Sequence, residues 1–186
     1  MRFSIPDGLP DSLDSEPTAL LSHLAPDFAA ALFGLGRAPY DHTTLTLREF
    51  EAARIRTAEI NGCEMCRGFR AARDLPALPG GDPGGLLARG AVPDEAFYAD
   101  ILGWRESSAY GERERIAIEL AERMGLDPGP LGYDQAFWER AKAHFTDAEI
   151  VELTICISAW MANGRVLHVL GLDTVCVVPT AVPVNT

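Results

Sequence analysis

Basic clusters are missing from this chain of 186 residues. It carries 16 Lys and Arg against 27 Asp and Glu, a net charge of −11, and no basic run with interleaved aromatic residues. Nucleic acids and anionic membranes attract positive charge, so this composition argues against both as partners. We expect neither a nucleic-acid nor a membrane partner.

Long hydrophobic runs are also missing. The first fifteen residues carry Pro, Asp and Ser and lack the apolar stretch of a signal peptide. The longest uncharged apolar stretch, Leu153 to Asn163, is shorter than the roughly 20 residues that span a bilayer. Hydrophobic residues make up 47% and charged residues 23%, which is ordinary for a globular protein. These features predict a cytoplasmic protein.

Cysteine is too scarce for a disulfide framework, because a chain of this length has only four. Cys156 lies among Thr, Ile and Ala residues and is predicted to be a small buried hydrophobe. Cys176 lies in a Val-rich tail without an obvious partner. Cys63 and Cys66 are three residues apart, and in a reducing compartment such a pair indicates redox cycling or metal binding.

Alternating strand patterns are absent, whereas helical signals dominate, so we predict an all-α fold. Two capping-box sequences, Thr46 to Glu49 and Thr146 to Glu149, mark helix starts. Helices are predicted from Ser15 to about Phe33, Thr46 to Asn61, Cys63 to before Pro76, Pro93 to Trp104, Gly111 to Met124, Asp134 to Phe145, and Thr146 to about Leu170.

The domain prediction is an N-terminal arm (residues 1–15), one all-helical domain (16–171) and an extended C-terminal tail (172–186). A Gly- and Pro-rich loop is expected from Pro76 to Pro93. The last helix is apolar nearly all round, so it either is central to the core or contacts a neighbouring subunit. The second possibility favours a homo-oligomer.

The cysteine pair follows Asn61-Gly62 and is predicted to occupy the first turn of a helix. Free N–H groups and a positive partial charge at that end favour a thiolate. Residues four apart share a helix face, which would place Arg67 near Cys63 and Arg70 near Cys66. Each arginine either supports a thiolate by its charge or belongs to a solvated basic face.

Glu51 shares a helical stripe with Leu47, Ile55 and Ala58. A carboxylate among apolar residues suits proton transfer if burial raises its pKa. The alternative is a surface glutamate that interacts favourably with the helix dipole.

Several residues around the pair form a longer motif, in which Glu51 stands twelve residues before Cys63. The motif consists of Phe50, Glu51, Arg56, the run Ala58 to Cys63, and Cys66. It resembles the core motif of the carboxymuconolactone decarboxylase-like superfamily, and the CxxC resembles its alkyl hydroperoxidase D branch. The stretch Phe145 to Leu153 also looks like the family's final core helix. Good matching covers roughly residues 45–75 and 145–170.

The resemblance implies an alkyl hydroperoxidase D-like helical bundle that forms homo-oligomers (dimer, trimer or hexamer). It implies that Cys66 is the peroxidatic cysteine, Cys63 the resolving cysteine and Glu51 a participant in proton transfer. The substrate would be an alkyl hydroperoxide, and an external dithiol, a protein or a small thiol, would reduce the resulting disulfide. No cofactor and no metal would be needed.

Two positions differ from that family. Met65 and Arg70 stand where the hydroperoxidase has histidines. Arg70 supplies positive charge but cannot relay a proton near neutral pH, so the histidine-dependent relay is not expected here. None of the four histidines is assigned a catalytic role, and His168 is explained by its favourable place near a helix C-terminus.

Other functions were weighed against this one. A lactone decarboxylase or isomerase of the same superfamily generally lacks the CxxC. A zinc site would need Cys156, His168 and Cys176 to converge on the pair. A thioredoxin-like fold would need a strand before Cys63, where the pattern is helical. Two alternatives stay open: a lactone decarboxylase- or isomerase-like member of the same superfamily, and a non-catalytic, redox-sensing helical oligomer.

Overall fold

A computed structural model describes Arg2 and residues 17–173. Within this part of the chain the regular structure is entirely helical, which confirms the predicted all-α fold. The α-helices are α1 (Pro17–Leu24), α2 (Pro26–His42), α3 (Leu47–Asn61), α4 (Glu64–Gly68), α5 (Ala71–Asp74), α6 (Glu95–Ala99), α7 (Glu112–Leu126), α8 (Pro128–Leu131), α9 (Gln135–His144) and α10 (Asp147–Leu170). Short 3₁₀ turns occur at Leu75–Ala77, Leu86–Ala88 and Asp100–Gly103. The predicted arm, apart from Arg2, and most of the predicted tail, with Cys176, lie outside the described residues.

The two helices that frame the cysteine pair begin and end as their sequences predict. In α3 the Thr46 hydroxyl accepts from the Glu49 N–H at 3.4 Å, and the Glu49 carboxylate accepts from the Thr46 N–H at 3.0 Å. The equivalent capping box starts α10. Both helices end at a glycine with φ of 70°, Gly62 and Gly171, in the left-handed region that glycine adopts without steric cost.

The N-terminal helix prediction was wrong in its bounds. Ala25 is not helical, because a residue that precedes proline disfavours the α conformation, and Pro26 then begins α2. The second helix continues past Phe33 to His42. A Cβ at Gly36 would lie 2.7 Å from Asn163 Nδ2, so this glycine allows α2 and α10 to approach closely.

The helix predicted from Cys63 to before Pro76 is interrupted. Its first part, α4, has only five residues, and the backbone at Phe69 and Arg70 is extended before α5 begins. The guanidinium of Arg54 donates to the carbonyl oxygens of Cys66 and Phe69, both at 2.7 Å. These bonds satisfy carbonyls where α4 ends, and they place Arg70 beyond the helix rather than on its face.

The core lies where α3 packs against α7 and α10. Phe50 of α3 and Trp160 of α10 meet edge to face, with ring centroids 4.8 Å apart. Cys156 is buried in the same core, which confirms its prediction as a small hydrophobe. The central position of α3 fixes its C-terminal end, and therefore the cysteine pair, on a rigid support.

The helix α10 has the length and hydropathy of a membrane-spanning helix. Part of that apolar character is explained by burial, since Leu153, Ile157 and Trp160 belong to the core. Ile155 and Val169 are exposed on the same helix. The predicted homo-oligomer therefore stays a prediction, with an apolar surface available to it.

Candidate functional site

A disulfide joins Cys63 and Cys66 at the start of α4, with 5.3 Å between their Cα atoms. Cys63 is the N-cap residue, and its sulfur accepts the N–H of Cys66 at 3.3 Å. The left-handed Gly62 allows the chain to turn from α3 directly into this helix. Cys63 is completely buried, whereas Cys66 is partly exposed.

A cavity of about 680 Å³ opens beside the pair. Cys66 contributes to its wall, and most of the wall residues come from α2, α3, α4 and α10. Most of the wall is apolar, and it includes Phe33, Tyr40, Met65, Leu78, Trp160 and Leu167. A molecule in this cavity would therefore meet Cys66 within largely hydrophobic surroundings.

Glu51 is completely buried and forms an ion pair with Arg54, which is 3% exposed. Two parallel bonds join them: Nε to Oε1 at 2.7 Å and Nη2 to Oε2 at 2.8 Å. Because Arg54 also donates to the Cys66 carbonyl, it connects the carboxylate to the dithiol helix. Sequence reasoning missed Arg54, although its i+3 spacing from Glu51 placed both on one face.

Tyr98, at α6, completes this network on the other side. Its phenol interacts electrostatically with the Glu51 carboxylate. Burial raises the pKa of Tyr98, and the negative charge of Glu51 raises it further, so the hydroxyl keeps its proton at neutral pH. Cys66 packs against the same apolar cluster as Tyr98. No sequence pattern pointed to Tyr98, because only tertiary packing brings α6 to α3.

The two arginines proposed to support the thiolate have different surroundings. Arg67 turns back along α4: its Nη2 donates to the Gly62 carbonyl at 3.1 Å, and its Nε lies 3.7 Å from the Glu59 carboxylate. Arg70 lies beyond the helix end and stacks on the Tyr98 ring, 3.8 Å from its centroid. Arg70 therefore does not lie on a helix face shared with Cys66, as the helical spacing predicted, and its support of the Cys66 thiolate stays a prediction.

Arg70 also forms an ion pair with the exposed carboxylate of Glu95, at 3.1 Å. Its Nη1 donates to the carbonyl oxygens of Arg67 and Phe69, at 2.6 and 3.0 Å. These contacts hold the guanidinium over Tyr98, where it covers the Glu51 network from the solvent side.

A histidine that sequence analysis left without a role lies beside the pair. His168 Nδ1 is 2.8 Å from Asp173 Oδ2, and the same oxygen accepts the Glu64 N–H at 3.2 Å. The imidazole also lies against Gly62, since a Cβ there would be 3.1 Å from Nε2. Burial raises the pKa of Asp173, but the hydrogen bonds from His168 and Glu64 outweigh burial and leave it below its usual value. The C-terminus of α10 thus meets the start of α4.

Among residues 17–173, no group of three or more His, Cys, Asp or Glu side chains is placed to hold a metal ion. Cys156 lies in the core, and Cys176 lies outside the described residues.

The chain was compared with known proteins. No family model matches it. It is 23% identical over 121 residues to the uncharacterized protein YdfG of Bacillus subtilis (strain 168), a match covering 65% of this chain and 72% of that protein. It is 32% identical over 65 residues to the uncharacterized protein YnjA of Escherichia coli (strain K12), covering 35% of each.

One solved structure is similar over most of its length. This is the crystal structure of ATU0492 from Agrobacterium tumefaciens, described as a protein of unknown function and a candidate antioxidant defence protein AhpD. The TM-score is 0.61 at 23% sequence identity, and the match covers 81% of this chain and 92% of that one. The likeness confirms the predicted alkyl hydroperoxidase D-like helical fold.

Proposed function

We propose that this protein is a thiol-dependent peroxidase that reduces alkyl hydroperoxides, with Cys66 as the peroxidatic and Cys63 as the resolving cysteine. The observation that carries the proposal is the unequal placement of the pair. Cys66 is partly exposed and borders the cavity, whereas Cys63 is buried one helical turn away at disulfide distance. A substrate in the cavity can reach only the first sulfur, and the second is in position to complete a disulfide.

The reaction runs in three steps. The Cys66 thiolate attacks the terminal peroxide oxygen, the O–O bond breaks, and the alkoxide takes a proton to give an alcohol and a Cys66 sulfenic acid. The Cys63 sulfur attacks the Cys66 sulfur, the disulfide forms and water leaves. An external dithiol then reduces the disulfide by exchange and is itself oxidised. The sum is ROOH plus a dithiol giving ROH, water and an external disulfide.

Glu51 is the group we assign to proton transfer, with Tyr98 as its contact. The carboxylate is fixed by Arg54 and interacts with Tyr98, a member of the cluster that Cys66 packs against. Met65 and Arg70 replace the two histidines of the hydroperoxidase motif, so we assign the proton route to this network, which Arg70 contacts through the Tyr98 ring. General acid–base groups of this kind accelerate reactions by about 10²–10⁴-fold.

The wall of the cavity favours an organic hydroperoxide. Its aromatic and aliphatic side chains match an alkyl or aryl group better than they match hydrogen peroxide. The redox disulfide makes a bound cofactor unnecessary, and the reductant would be a dithiol protein or a small thiol. A cytoplasmic location and assembly into a homo-oligomer belong to the same proposal, and the exposed Phe28 and Val169 provide apolar surface for assembly.

One observation favours a second function, a redox-sensing helical protein without turnover. Both oxygens of Glu51 are bound by Arg54, which restrains the carboxylate that should move a proton. In that case the dithiol would change state with its surroundings but would not cycle rapidly.

The experiment that separates the two adds cumene hydroperoxide to the fully reduced protein and follows free thiols and intact mass over time. Rapid loss of two thiols and about two mass units per chain, mapped to Cys63 and Cys66, supports the peroxidase. Cys156→Ser is the control for the buried core thiol and should react like the original protein. Thiols that persist for hours would contradict peroxidase activity.

A further inference from the structure

We propose that His168, held by Asp173, takes up a proton when the Cys63–Cys66 disulfide is opened and releases it when the disulfide forms. This deepens the proposed function and rests on it in one respect, that the pair is redox-active. It does not depend on a hydroperoxide being the oxidant.

The geometry places the imidazole at the start of the dithiol helix. Nε2 lies against Gly62, the residue before Cys63, while Nδ1 lies 2.8 Å from the carboxylate of Asp173. A carboxylate partner fixes the proton of a neutral imidazole on Nδ1, which leaves the Nε2 lone pair free to bind a second proton. His168 is about half exposed, so solvent can deliver that proton.

The charges explain why proton uptake should follow reduction. Asp173 accepts the N–H of Glu64, and the sulfur of Cys63 accepts the N–H of Cys66, so both acceptors use the first turn of the same helix. A thiolate on Cys63 would place a second negative charge beside the Asp173 carboxylate. A protonated His168 compensates that charge, whereas the neutral disulfide needs no such compensation.

The step balances in atoms and electrons. An external thiolate attacks the accessible Cys66 sulfur, a mixed disulfide forms, and the Cys63–Cys66 bond breaks with its electron pair on Cys63. The proton that the external thiol lost is taken up by His168 from solvent. The second external thiol loses its proton and, as a thiolate, attacks the external sulfur of the mixed disulfide. Cys66 leaves with the electron pair of that bond and takes up the second proton, and the external dithiol leaves as a disulfide.

Other charged groups lie near Gly62 on α3, α4 and α10, and none of them takes part in the thiol–disulfide exchange. Arg67 bonds to the Gly62 carbonyl and lies near Glu59, and Arg165 donates to the Asn61 side chain at 3.1 Å. The charged side chains are Glu59, Glu64, Arg67, Arg165 and Asp173. A difference between the oxidised and reduced proteins therefore isolates the effect of the dithiol.

The direct test measures the ring-proton NMR signal of His168 from pH 5 to 9 in the disulfide form and after reduction with excess dithiothreitol. A His168→Gln variant assigns the signal. We expect the imidazole to bind its proton about three- to tenfold more tightly in the reduced protein. This is the size of effect expected from the negative charge of a Cys63 thiolate several ångströms away near a protein surface. His144, at the end of α9, is the internal control and should titrate identically in both forms. An identical titration of His168 in both forms would overturn the proposal.

Thermodynamic reciprocity provides a second readout. If reduction tightens proton binding, protonation must favour the reduced dithiol by the same factor. The equilibrium constant with dithiothreitol should therefore carry an added three- to tenfold dependence on pH, which His168→Gln removes and His144→Gln keeps. If Asp173 and His168 only cap the helix, Asp173→Asn would lower thermal stability and leave this pH dependence intact.

The outcomes separate this inference from the proposed function. A protein whose His168 responds to reduction but whose thiols ignore cumene hydroperoxide supports the inference and contradicts the peroxidase. A protein that consumes the hydroperoxide while His168 titrates identically in both forms supports the peroxidase and overturns the inference.

Discussion

The charged groups on the two sides of the dithiol differ in how far they are buried. On the Cys66 side, Glu51 and Arg54 form an ion pair that is almost completely removed from water, and Tyr98 interacts with the carboxylate. On the Cys63 side, a half-exposed His168 pairs with the carboxylate of Asp173. A buried pair is fixed in geometry and costly to disturb, whereas an exposed imidazole can exchange protons with solvent. The dithiol thus has a rigid face and a proton-exchanging face.

The comparison assigns different tasks to the two faces. The rigid face borders the cluster that contains Cys66 and suits the step in which charge develops on a leaving oxygen. The exchanging face suits opening and closing of the disulfide, where protons must arrive and leave. A substitution on one face shows, through its effect on the other face, whether the two act independently.

The largest effect is expected when the sulfur of the rigid face is removed. Cys66→Ser should abolish hydroperoxide turnover, because the nucleophile is lost. Cys63→Ser should still react once and then stop at a sulfenic acid, which dimedone traps and intact mass detects. Turnover that is unchanged in Cys66→Ser would contradict the assignment of the peroxidatic cysteine.

Breaking the buried ion pair should have the largest effect on stability. Arg54→Met leaves Glu51 buried without its partner and removes two bonds to the end of α4, so we expect a loss of about 3–5 kcal/mol in the free energy of unfolding. Urea denaturation measures it. The control is Arg140→Met, whose ion pairs with Glu112 and Glu119 join partly exposed side chains and should cost less than about 1 kcal/mol. Equal losses of unfolding free energy in the two variants would mean that the buried pair contributes no more to stability than a surface ion pair.

Glu51→Gln sharpens the comparison, because it keeps the shape of the side chain and removes its charge. We expect oxidation of the thiols by cumene hydroperoxide to slow by about 10²-fold, with the helical circular dichroism spectrum unchanged. The pH response of His168 should persist, since it belongs to the other face. An unchanged rate of oxidation would reduce Glu51 to a structural role.

Tyr98→Phe tests the outer part of the same network with a smaller effect. Removing the hydroxyl that interacts with Glu51 should slow thiol oxidation by about tenfold. Tyr110→Phe is a matched control in the same apolar cluster, because its hydroxyl donates to the Phe97 carbonyl and not to Glu51. Equal rates in the two variants would remove Tyr98 from the proposed proton route.

The sequence predicts the parts of this structure that local rules determine. Capping boxes and terminal glycines located the starts and ends of α3 and α10, and the motif around Glu51 and Cys63 indicated the fold. Local rules failed where tertiary contacts decide. The carbonyls at the end of α4 bond to Arg54, which breaks a helix that spacing alone would continue.

The candidate site divides in the same way. Glu51, Cys63 and Cys66 lie within sixteen residues of sequence and could be found from spacing. Tyr98, His168 and Asp173 lie in segments that are distant from the cysteines in sequence, and no periodicity links them to the pair. The sequence shows that Met65 and Arg70 stand where the hydroperoxidase motif has histidines. It does not show that His168 packs beside Gly62, because tertiary packing determines that contact.

The smallest predicted effect concerns acid stability on the exchanging face. The pKa of Asp173 lies below its usual value in the folded protein, so its carboxylate stabilises the fold above the ordinary Asp pKa of about 4. That contribution is lost as the pH falls through the lower, folded value, because the unfolded chain binds the proton more tightly. Thermal melts from pH 7 to pH 2 should therefore show a smaller acid-induced decrease in Tm for Asp173→Asn than for the original protein. His168→Gln should lie between them, because the hydrogen bond from Glu64 to Asp173 remains. Identical acid profiles for all three proteins would show that Asp173 contributes no proton linkage to stability, and that any role of the exchanging face appears only when the disulfide opens.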